Sequence, residues 1–302
     1  MSMKIFVTGA TGVIGHRVIP QLIRAGHQVT GLARTDQKAA LLRQFGAAPV
    51  RVDLFDPAAL GPVLTGHEVV ANLATNVPPL ERALEPTAWE MHNRLRNEAS
   101  QSVTRAAAEA GCRIFIQESI TFPYADKGAE WIEETDADNC PPEMASSRVA
   151  EEQAAWFSEN GGRGVVLRFA LFYAHDSSHT QEFQAAIRAG RSPFLGDPAS
   201  YMSHIHAEDA AAAVVAVLNA PAGIYNVADD QPLTRQDLAA AIAELEGVAS
   251  PAPPEPMQGE LPGSIEALTR SQRISNRHFK HTTGWTPRYP SVREGWRQIL
   301  KS

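Results

Sequence analysis

The sequence has few cysteines, no long apolar run and no excess of basic residues. Its two cysteines, Cys112 and Cys140, in 302 residues cannot form a disulfide framework, and a reducing compartment is their simplest location. No run of about 18 apolar residues is present that could span a membrane. A net charge of −7 argues against electrostatic binding to nucleic acid or acidic lipid. The first ten residues show no apolar signal region, and we expect a cytoplasmic protein.

The composition is that of a globular protein. Hydrophobic residues make up 44% of the chain and charged residues 20%, which supplies enough apolar material for a sizeable core. The length exceeds the roughly 100–200 residues of a typical single domain. We therefore expect one large domain or two coupled lobes.

Short apolar strands alternate with helical segments along the first 170 residues. The predicted strands are Lys4–Thr8, Gln28–Ala33, Val50–Val52, Val69–Leu73, Arg113–Gln117 and Val165–Arg168. The predicted helices are His16–Ala25, Gln37–Phe45, Thr87–Ala110 and Ala145–Glu159. Because right-handed crossovers lay a helix on a sheet face, this order predicts an α/β fold with a doubly wound parallel sheet.

The rhythm changes after Phe172, where loops and proline-rich segments become frequent. We expect residues 1–172 to form the first lobe, with the alanine-rich segment 205–220 returning to it. Residues 173–204 and 221–302 are predicted to form a smaller, interleaved substrate lobe.

A glycine-rich loop follows the first predicted strand. The segment Thr8-Gly-Ala-Thr-Gly-Val-Ile-Gly15 joins that strand to a helix. In such a context Gly9 makes the tight turn, Gly12 lets the backbone approach a diphosphate, and Gly15 lets the helix pack on the strand. The helix N-terminus offers unpaired N–H groups to the anion. The loop therefore predicts a dinucleotide-binding site.

Further motifs follow in the order of a known family. They are Val52-Asp53-Leu54, Asn72-Leu-Ala-Thr75, Leu167 to Tyr173 (LRFALFY), Ile205 to Asp209 (IHAED) and Gly223 to Val227 (GIYNV). Together with the glycine loop they resemble the extended, atypical short-chain dehydrogenases/reductases of the NAD(P)-dependent epimerase/dehydratase family. The resemblance covers essentially the whole chain. It implies a Rossmann fold, a nicotinamide dinucleotide cofactor, and oxidoreductase or epimerase activity on a small organic substrate.

The resemblance also implies which residues contact the cofactor. These residues are Gly9, Thr11, Gly12, Val13, Ile14, Gly15, Arg34, Asp53, Leu54, Leu73, Ala74, Thr75, Arg148, Phe169 and Leu171. Among them, Asp53 matches the acidic residue that accepts from the adenine amino group. No metal ligand is expected, although His204 and His206 share one face of a predicted strand.

The end of the second strand indicates which dinucleotide is preferred. Members that prefer NAD place an acid there to bind the ribose 2′-hydroxyl, whereas this chain has Ala33 followed by Arg34. A guanidinium would receive a 2′-phosphate bidentately, with Lys38 as a second charge. We therefore expect NADP(H) to be preferred and NAD(H) to be possible. The alternative is that Arg34 is only a solvated surface cation, and Asp36 nearby weakens the case.

The catalytic Tyr-x-x-x-Lys of the family is missing. A glutamate normally follows the lysine by four residues, and Glu152 sets that register, so Met144 and Arg148 stand where tyrosine and lysine are expected. Methionine cannot transfer a proton, and arginine stays charged at any working pH.

Four residues are candidates for the altered chemistry. Ser119 lies where the family has its catalytic Ser/Thr, and Arg148 could hold the ribose. Glu118 or Tyr124 could carry the proton, Glu118 by a raised pKa in an apolar pocket. The alternatives are a packing role for Tyr124 and a structural hydrogen bond for Glu118.

Two functions from different classes remain open. The first is an NADP(H)-dependent oxidoreductase or epimerase-like enzyme with a non-standard proton transfer. The second is a non-catalytic NADP(H)-binding regulatory protein, which the same Met144 and Arg148 motivate. The resemblance further implies a homodimer through the helices 87–110 and 145–159, and no nucleic-acid or membrane partner is expected.

Overall fold

The computed structural model describes residues 2–79, 82, 85–254 and 261–301. The strands in these ranges are β1 (Lys4–Thr8), β2 (Gln28–Leu32), β3 (Ala48–Val50), β4 (Val69–Asn72), β5 (Ile114–Ile120), β6 (Trp131–Ile132), β7 (Arg163–Phe169), β8 (Leu171–Tyr173), β9 (Tyr201–Met202), β10 (His204–His206), β11 (Gly223–Val227), β12 (Leu233–Thr234) and β13 (Arg273–Ile274).

The α-helices are α1 (Gly15–Arg24), α2 (Asp36–Gln44), α3 (Pro57–Leu64), α4 (Glu90–Arg94), α5 (Ser100–Glu109), α6 (Ala145–Glu159), α7 (Ser178–Arg188), α8 (Ala207–Ala216), α9 (Arg235–Glu246), α10 (Gly263–Thr269), α11 (Arg277–Thr283) and α12 (Val292–Ile299). Short 3-10 helices cover Pro86–Trp89, Pro142–Met144 and Val217–Asn219, and Leu95–Ala99 is π-helical. Among the described residues, no helix has the length and apolar character needed to cross a bilayer.

Seven strands form the central sheet in the order β11-β7-β5-β4-β1-β2-β3. The pairs β1–β2, β2–β3, β1–β4 and β4–β5 are parallel. Chain order therefore runs outward in one direction from β1 and in the other from β4. The predicted doubly wound α/β fold is confirmed. In such sheets, ligands bind at the carboxyl ends of the strands where the order reverses, here between β1 and β4.

Local signals explain where the first helices begin. The Thr35 hydroxyl accepts from the Lys38 amide and caps α2. The Asp56 carboxylate accepts from the amides of Ala58 and Ala59 and caps α3, whose first residue is Pro57. An aspartate cap followed by proline is a strong start signal, but the predicted helices did not include this one.

Two predicted boundaries differ from the structure. The third strand covers Ala48–Val50 rather than Val50–Val52, so Asp53 lies three residues beyond its end. The predicted helix Thr87–Ala110 is a succession of 3-10, α, π and α segments. The π segment widens the helical turn at Leu95–Ala99, and such insertions often occur at functional sites.

The chain divides into two compact units. Unit 1 comprises Met1–Ser119, Ser146–Leu167 and Ala210–Tyr225, whereas unit 2 comprises Ile120–Ala145, Arg168–Asp209 and Asn226–Ser302. The predicted lobes, residues 1–172 with 205–220 and residues 173–204 with 221–302, stay a prediction. Each unit has its own apolar core. In unit 1 it includes Phe6, Val70, Val103, Phe115 and Phe157, and in unit 2 it includes Tyr173, Phe183, Ile187, Leu238 and Trp296.

Unit 2 buries an aspartate beside other acidic groups. Asp229 follows β11 and is 1% exposed. Burial raises the pKa of Asp229 well above its ordinary value, and the nearby carboxylates of Asp230, Asp209 and Glu294 raise it further. The folded protein therefore holds a proton on Asp229 more tightly than the unfolded chain does.

Asp229→Asn should stabilise the protein at pH 8 and have a smaller effect at pH 5. The neutral form of Asp229 favours folding fully below about pH 4, and this contribution is lost as the pH rises toward the raised pKa. Asparagine does not ionise, so the variant escapes that loss. Thermal melts of both proteins at the two pH values measure the difference. An equal gain at both pH values would contradict the assignment.

Candidate active site

A row of buried polar side chains lies at the carboxyl ends of three neighbouring strands. The strand register pairs Thr8 with Asn72 and Asn72 with Gln117. The Thr8 hydroxyl donates to Asn72 Oδ1 at 2.6 Å, and Asn72 Nδ2 donates to Gln117 Oε1 at 2.9 Å. Thr8 Oγ1 in turn accepts from the backbone amides of Leu73 and Ala74. This network fixes the turns after β1 and β4 against each other.

The glycines of the loop allow this close approach. Gly9 has a positive φ of 61°, and a Cβ there would lie 2.4 Å from the Leu73 carbonyl oxygen. A Cβ on Gly15 would lie 2.1 Å from the Gly9 carbonyl oxygen. At Gly12 the nearest atom to an added Cβ is 3.3 Å away, and Gly12 itself is exposed. Gly9 and Gly15 are thus required for packing, while Gly12 leaves an open backbone surface.

Helix α1 begins directly after that surface. Its N-cap residue, Ile14, has no side-chain hydrogen bond to the helix, so no side chain caps the helix N-terminus. Val13 is 36% exposed beside it. The first N–H groups of a helix lack partners inside the helix and carry the positive end of its dipole. The loop and α1 therefore have an arrangement that suits a diphosphate, and the predicted diphosphate site stays a prediction.

The predicted dinucleotide contacts that follow β2, β3 and β4 also lie in unit 1. Arg34 follows β2 and is exposed, and it makes no hydrogen bond or ion pair within the described ranges. The neighbouring Asp36 accepts instead from Arg51, at 2.6 Å. Asp53 is exposed and accepts from the Phe55 amide at 2.9 Å. Leu54 and Leu73 are buried, Ala74 is half-buried, and Thr75 is exposed.

Ser119, near the end of β5, lies beside a glutamate that was not among the predicted site residues. The Ser119 hydroxyl donates to Glu151 Oε1 at 2.5 Å, and Arg148 Nη1 donates to Glu151 Oε2 at 2.6 Å. Ser119 is fully buried and Glu151 is 6% exposed. The structure thus joins two predicted catalytic residues, Ser119 and Arg148, through the carboxylate of Glu151.

Glu118 forms a second buried ion pair. Arg96 Nη2 donates to both Glu118 oxygens at 2.9 Å, and both side chains are at least nine-tenths buried. Arg96 lies in the π-helical segment Leu95–Ala99. Glu118 was predicted to carry a proton in an apolar pocket, but its surroundings include a guanidinium. Its role in proton transfer stays a prediction.

Arg96 also affects a neighbouring histidine. His92 is 5% exposed, on the helix that precedes the π segment. Burial, together with the positive charge of Arg96, lowers the pKa of His92 to about 3. His92 is therefore neutral at physiological pH and adds no charge to this region.

Met144 stands at the predicted tyrosine position. It is the last residue of the 3-10 helix that immediately precedes α6, and it is half-buried. Ser146, two residues later, donates to Asn93 Oδ1 at 2.8 Å.

Tyr124 lies in unit 2, where its hydroxyl takes part in an internal network. It accepts from Arg168 Nη1 at 2.8 Å and donates to Asn226 Oδ1 at 2.8 Å. The Arg168 guanidinium also lies 4.9 Å from the centre of the Tyr124 ring. Burial raises the pKa of Tyr124, and the Arg168 charge opposes that rise. These contacts favour the packing alternative, and proton transfer by Tyr124 stays a prediction.

The remaining predicted positions also lie in unit 2. Phe169 is 1% exposed, and Leu171 is half-buried at the start of β8. His204 is buried, and desolvation lowers its pKa to about 4. His206 packs against Tyr289, with ring centres 4.2 Å apart. Across the described part of the chain, no three His, Cys, Asp or Glu side chains are grouped as metal ligands would be.

One sequence signal could have identified Glu151. The buried residues of α6 include Ser147, Ala150, Ala154 and Phe157, which follow helical spacing. Glu151 occupies the same stripe, one turn after Ser147. A carboxylate on the buried face of an amphipathic helix is rare unless it is paired. The sequence did not show that the partners would be Ser119 and Arg148.

Comparison with known proteins agrees with the motifs. The model of a family described as the NAD dependent epimerase/dehydratase family matches residues 5–228. A 3-diazoavenalumate denitrifying reductase of Streptomyces sp is 30% identical over 306 residues, covering 97% of this chain and 99% of that protein. A ceramide reductase of Caulobacter vibrioides is 26% identical, covering 96% and 87% respectively.

Solved structures share the fold. UDP-glucose 4-epimerase of Thermus thermophilus, in complex with NAD, superimposes with a TM-score of 0.78 at 22% identity, covering 99% of this chain and 98% of that chain. UDP-glucose 4-epimerase of Thermotoga maritima, with UDP-glucose, gives a TM-score of 0.79 at 20% identity with the same coverage.

Arg96→Met should destabilise the protein by about 3–5 kcal/mol, because it leaves the Glu118 carboxylate buried without its partner. The double variant Arg96→Met with Glu118→Leu should recover most of that loss. Arg94→Ala is the matched control. Arg94 pairs with Glu98 while 49% exposed, so its loss should cost far less stability than the loss of Arg96. Urea unfolding measures all three, and equal costs for the two single variants would refute the buried pair.

Proposed function

The chain belongs to the NAD dependent epimerase/dehydratase family, and from that premise we propose that it is an NADP(H)-dependent reductase of a small organic electrophile. One observation carries the proposal: the dinucleotide loop is complete, while Met144 and Arg148 replace the family's Tyr-x-x-x-Lys. The family resemblance read from the motifs is thereby confirmed, and the enzyme is of the oxidoreductase/epimerase type.

The residues of unit 1 fit a nicotinamide dinucleotide. The open backbone at Gly12 and the uncapped N-terminus of α1 would hold the diphosphate, and Asp53 would accept from the adenine. When bound, the nicotinamide supplies or accepts a hydride. The protein's tasks are then to orient the substrate, exclude water and manage the accompanying proton.

Arg34 supports NADP(H) over NAD(H). Its guanidinium has no partner in the described ranges, and the nearby carboxylate of Asp36 is held by Arg51. A cation freed from local pairing suits a 2′-phosphate, whereas a ribose 2′-hydroxyl calls for an acid at this place.

The missing phenol restricts which electrophiles can be reduced easily. Ser119 could orient a substrate oxygen, but the Met144 thioether has no proton to donate. Reduction of a carbonyl needs a proton on the product oxygen. Displacement of a diazonium group by hydride releases N2 and needs no proton. The Streptomyces relative is named for a diazo compound and for denitrification, which supports including diazo compounds in the substrate class.

The same replacement favours one alternative function. A chain without Tyr and Lys could bind NADP(H) as a regulatory protein that transfers no hydride. The homodimer through the helices 87–110 and 145–159 and the cytoplasmic location stay predictions under either function.

Arg34→Ala should weaken NADPH binding about 10–100-fold and leave NADH binding nearly unchanged, because a charge-assisted bond is worth roughly 1.5–3 kcal/mol. Arg43→Ala is the control, since Arg43 is an exposed cation at the other end of α2. Fluorescence titration of both nucleotides gives the affinities. Tighter NADH than NADPH binding by the unmodified protein would overturn the NADP(H) preference.

The unmodified protein should oxidise NADPH when given an arenediazonium salt or an aromatic aldehyde, with loss of absorbance at the reduced nicotinamide band. Ser119→Ala should slow the aldehyde reaction about 10²–10⁴-fold, the range for loss of a positioned proton-transfer group. NADPH binding without oxidation by any acceptor would instead support the regulatory alternative.

A further inference from the structure

We propose that Glu151 is the proton-holding partner of Ser119 and takes over the task that the family assigns to its tyrosine. Glu151 acts through Ser119 and is therefore a positioning residue rather than one that touches the substrate. The inference rests on the proposed function, because it concerns substrates whose reduction or oxidation moves a proton.

The hydrogen-bond direction supports the assignment. The Ser119 hydroxyl donates to Glu151 Oε1 at 2.5 Å, so this carboxylate is placed to accept the serine proton. A serine alone is a poor acid and a poor base, and it becomes effective when an adjacent base accepts its proton. The contact joins β5 to α6, residues 32 apart in sequence, and both residues are more than nine-tenths buried.

The proton balance is complete without another reagent. In the oxidation direction, the substrate O–H bond breaks and its proton passes to Ser119 Oγ. The original Ser119 proton passes to Glu151, whose carboxylate becomes a carboxylic acid. The hydride from the substrate carbon would go to the nicotinamide when that cofactor is bound, and Glu151 then releases its proton to solvent. Reduction is the reverse and begins with protonated Glu151.

Arg148, at the position where the family has its lysine, binds the Glu151 carboxylate. Its Nη1 donates to the second oxygen of Glu151 at 2.6 Å, and the two side chains are 18% and 7% exposed. A buried carboxylate without a cation would be costly. Arginine keeps its charge at any working pH, so it orients Glu151 without competing for the proton.

Three other ionisable side chains lie near this end of β5, and each has an assigned partner or charge state. Arg96 and Glu118 pair with each other at 2.9 Å, and His92 is neutral because its pKa is lowered to about 3. Of these two ion pairs, that of Glu151 and Arg148 is the one joined to the Ser119 hydroxyl.

Glutamine at position 151 separates a proton-transfer role from a structural one. Its amide oxygen can still accept from Ser119 and its volume is nearly that of glutamate, but it cannot hold the proton. A structural role predicts that Glu151→Gln is tolerated. A proton-transfer role predicts that Glu151→Gln fails and that Glu151→Asp recovers part of the activity.

The kinetic test uses two acceptors with NADPH. Glu151→Gln should slow aldehyde reduction about 10²–10⁴-fold and remove its decline with rising pH, while arenediazonium reduction changes less than about threefold, since release of N2 needs no proton. Glu152→Gln, an exposed neighbour on α6, is the control and should match the unmodified protein. Equal effects of Glu151→Gln on both acceptors, or none on either, would overturn the proposal.

A second readout does not depend on turnover. The infrared carboxyl band of Glu151, isolated as the difference between the unmodified protein and Glu151→Gln, is followed against pH. Ser119→Ala should shift its titration midpoint upward, because the lost hydrogen bond stabilised the carboxylate. An unchanged midpoint would refute the coupling. If the unmodified protein reduces neither acceptor, the proposed function fails, and this titration still decides whether the Ser119 hydroxyl stabilises the Glu151 carboxylate.

Discussion

The balance of charges at the end of strand β5 governs the rest of this site. Burying one unpaired ion costs several kcal/mol, so the buried pair of Arg96 and Glu118 has to be retained or lost together, whereas Arg148 is 18% exposed and can be hydrated without Glu151. The first pair links Arg96 in the π-helical segment to Glu118 in β5. The second joins Arg148 and Glu151, which lie one turn apart in α6. Ser119 follows Glu118 in the chain and is held by Glu151. The position of the serine hydroxyl is therefore set by electrostatics as much as by apolar packing.

The glycine loop relies on a different and neutral set of contacts. The hydrogen-bonded row formed by Thr8, Asn72 and Gln117 is uncharged and buried, and it holds the turn at Gly9 against Leu73. None of these contacts involves Met144 or Arg148. The glycine loop can consequently stay complete whichever residues stand at those two positions.

The sequence predicted those features that depend on local pattern. Buried strands and the glycine loop could be identified because each is contained in a few neighbouring residues, whereas the replacement of the catalytic pair at Met144 and Arg148 stays a prediction. The aspartate cap of α3 was equally local and was overlooked. The partners of Ser119 and Glu118 could not be predicted, because they depend on how α6 and the π segment are set against β5. A shift of one residue in the alignment of these segments against β5 would place a different side chain beside each strand position.

The central claim is that a nicotinamide dinucleotide binds at the carboxyl ends of β1 and β4, beside the Ser119 hydroxyl that is hydrogen-bonded to Glu151. Crystallography of the complex with NADPH tests this claim most directly. We predict the diphosphate on the amides of the glycine loop, the 2′-phosphate on Arg34, and the nicotinamide ring near Ser119 with Glu151 still bonded to it. A tyrosine hydroxyl in contact with the nicotinamide ribose, or a diphosphate bound elsewhere, would contradict this claim.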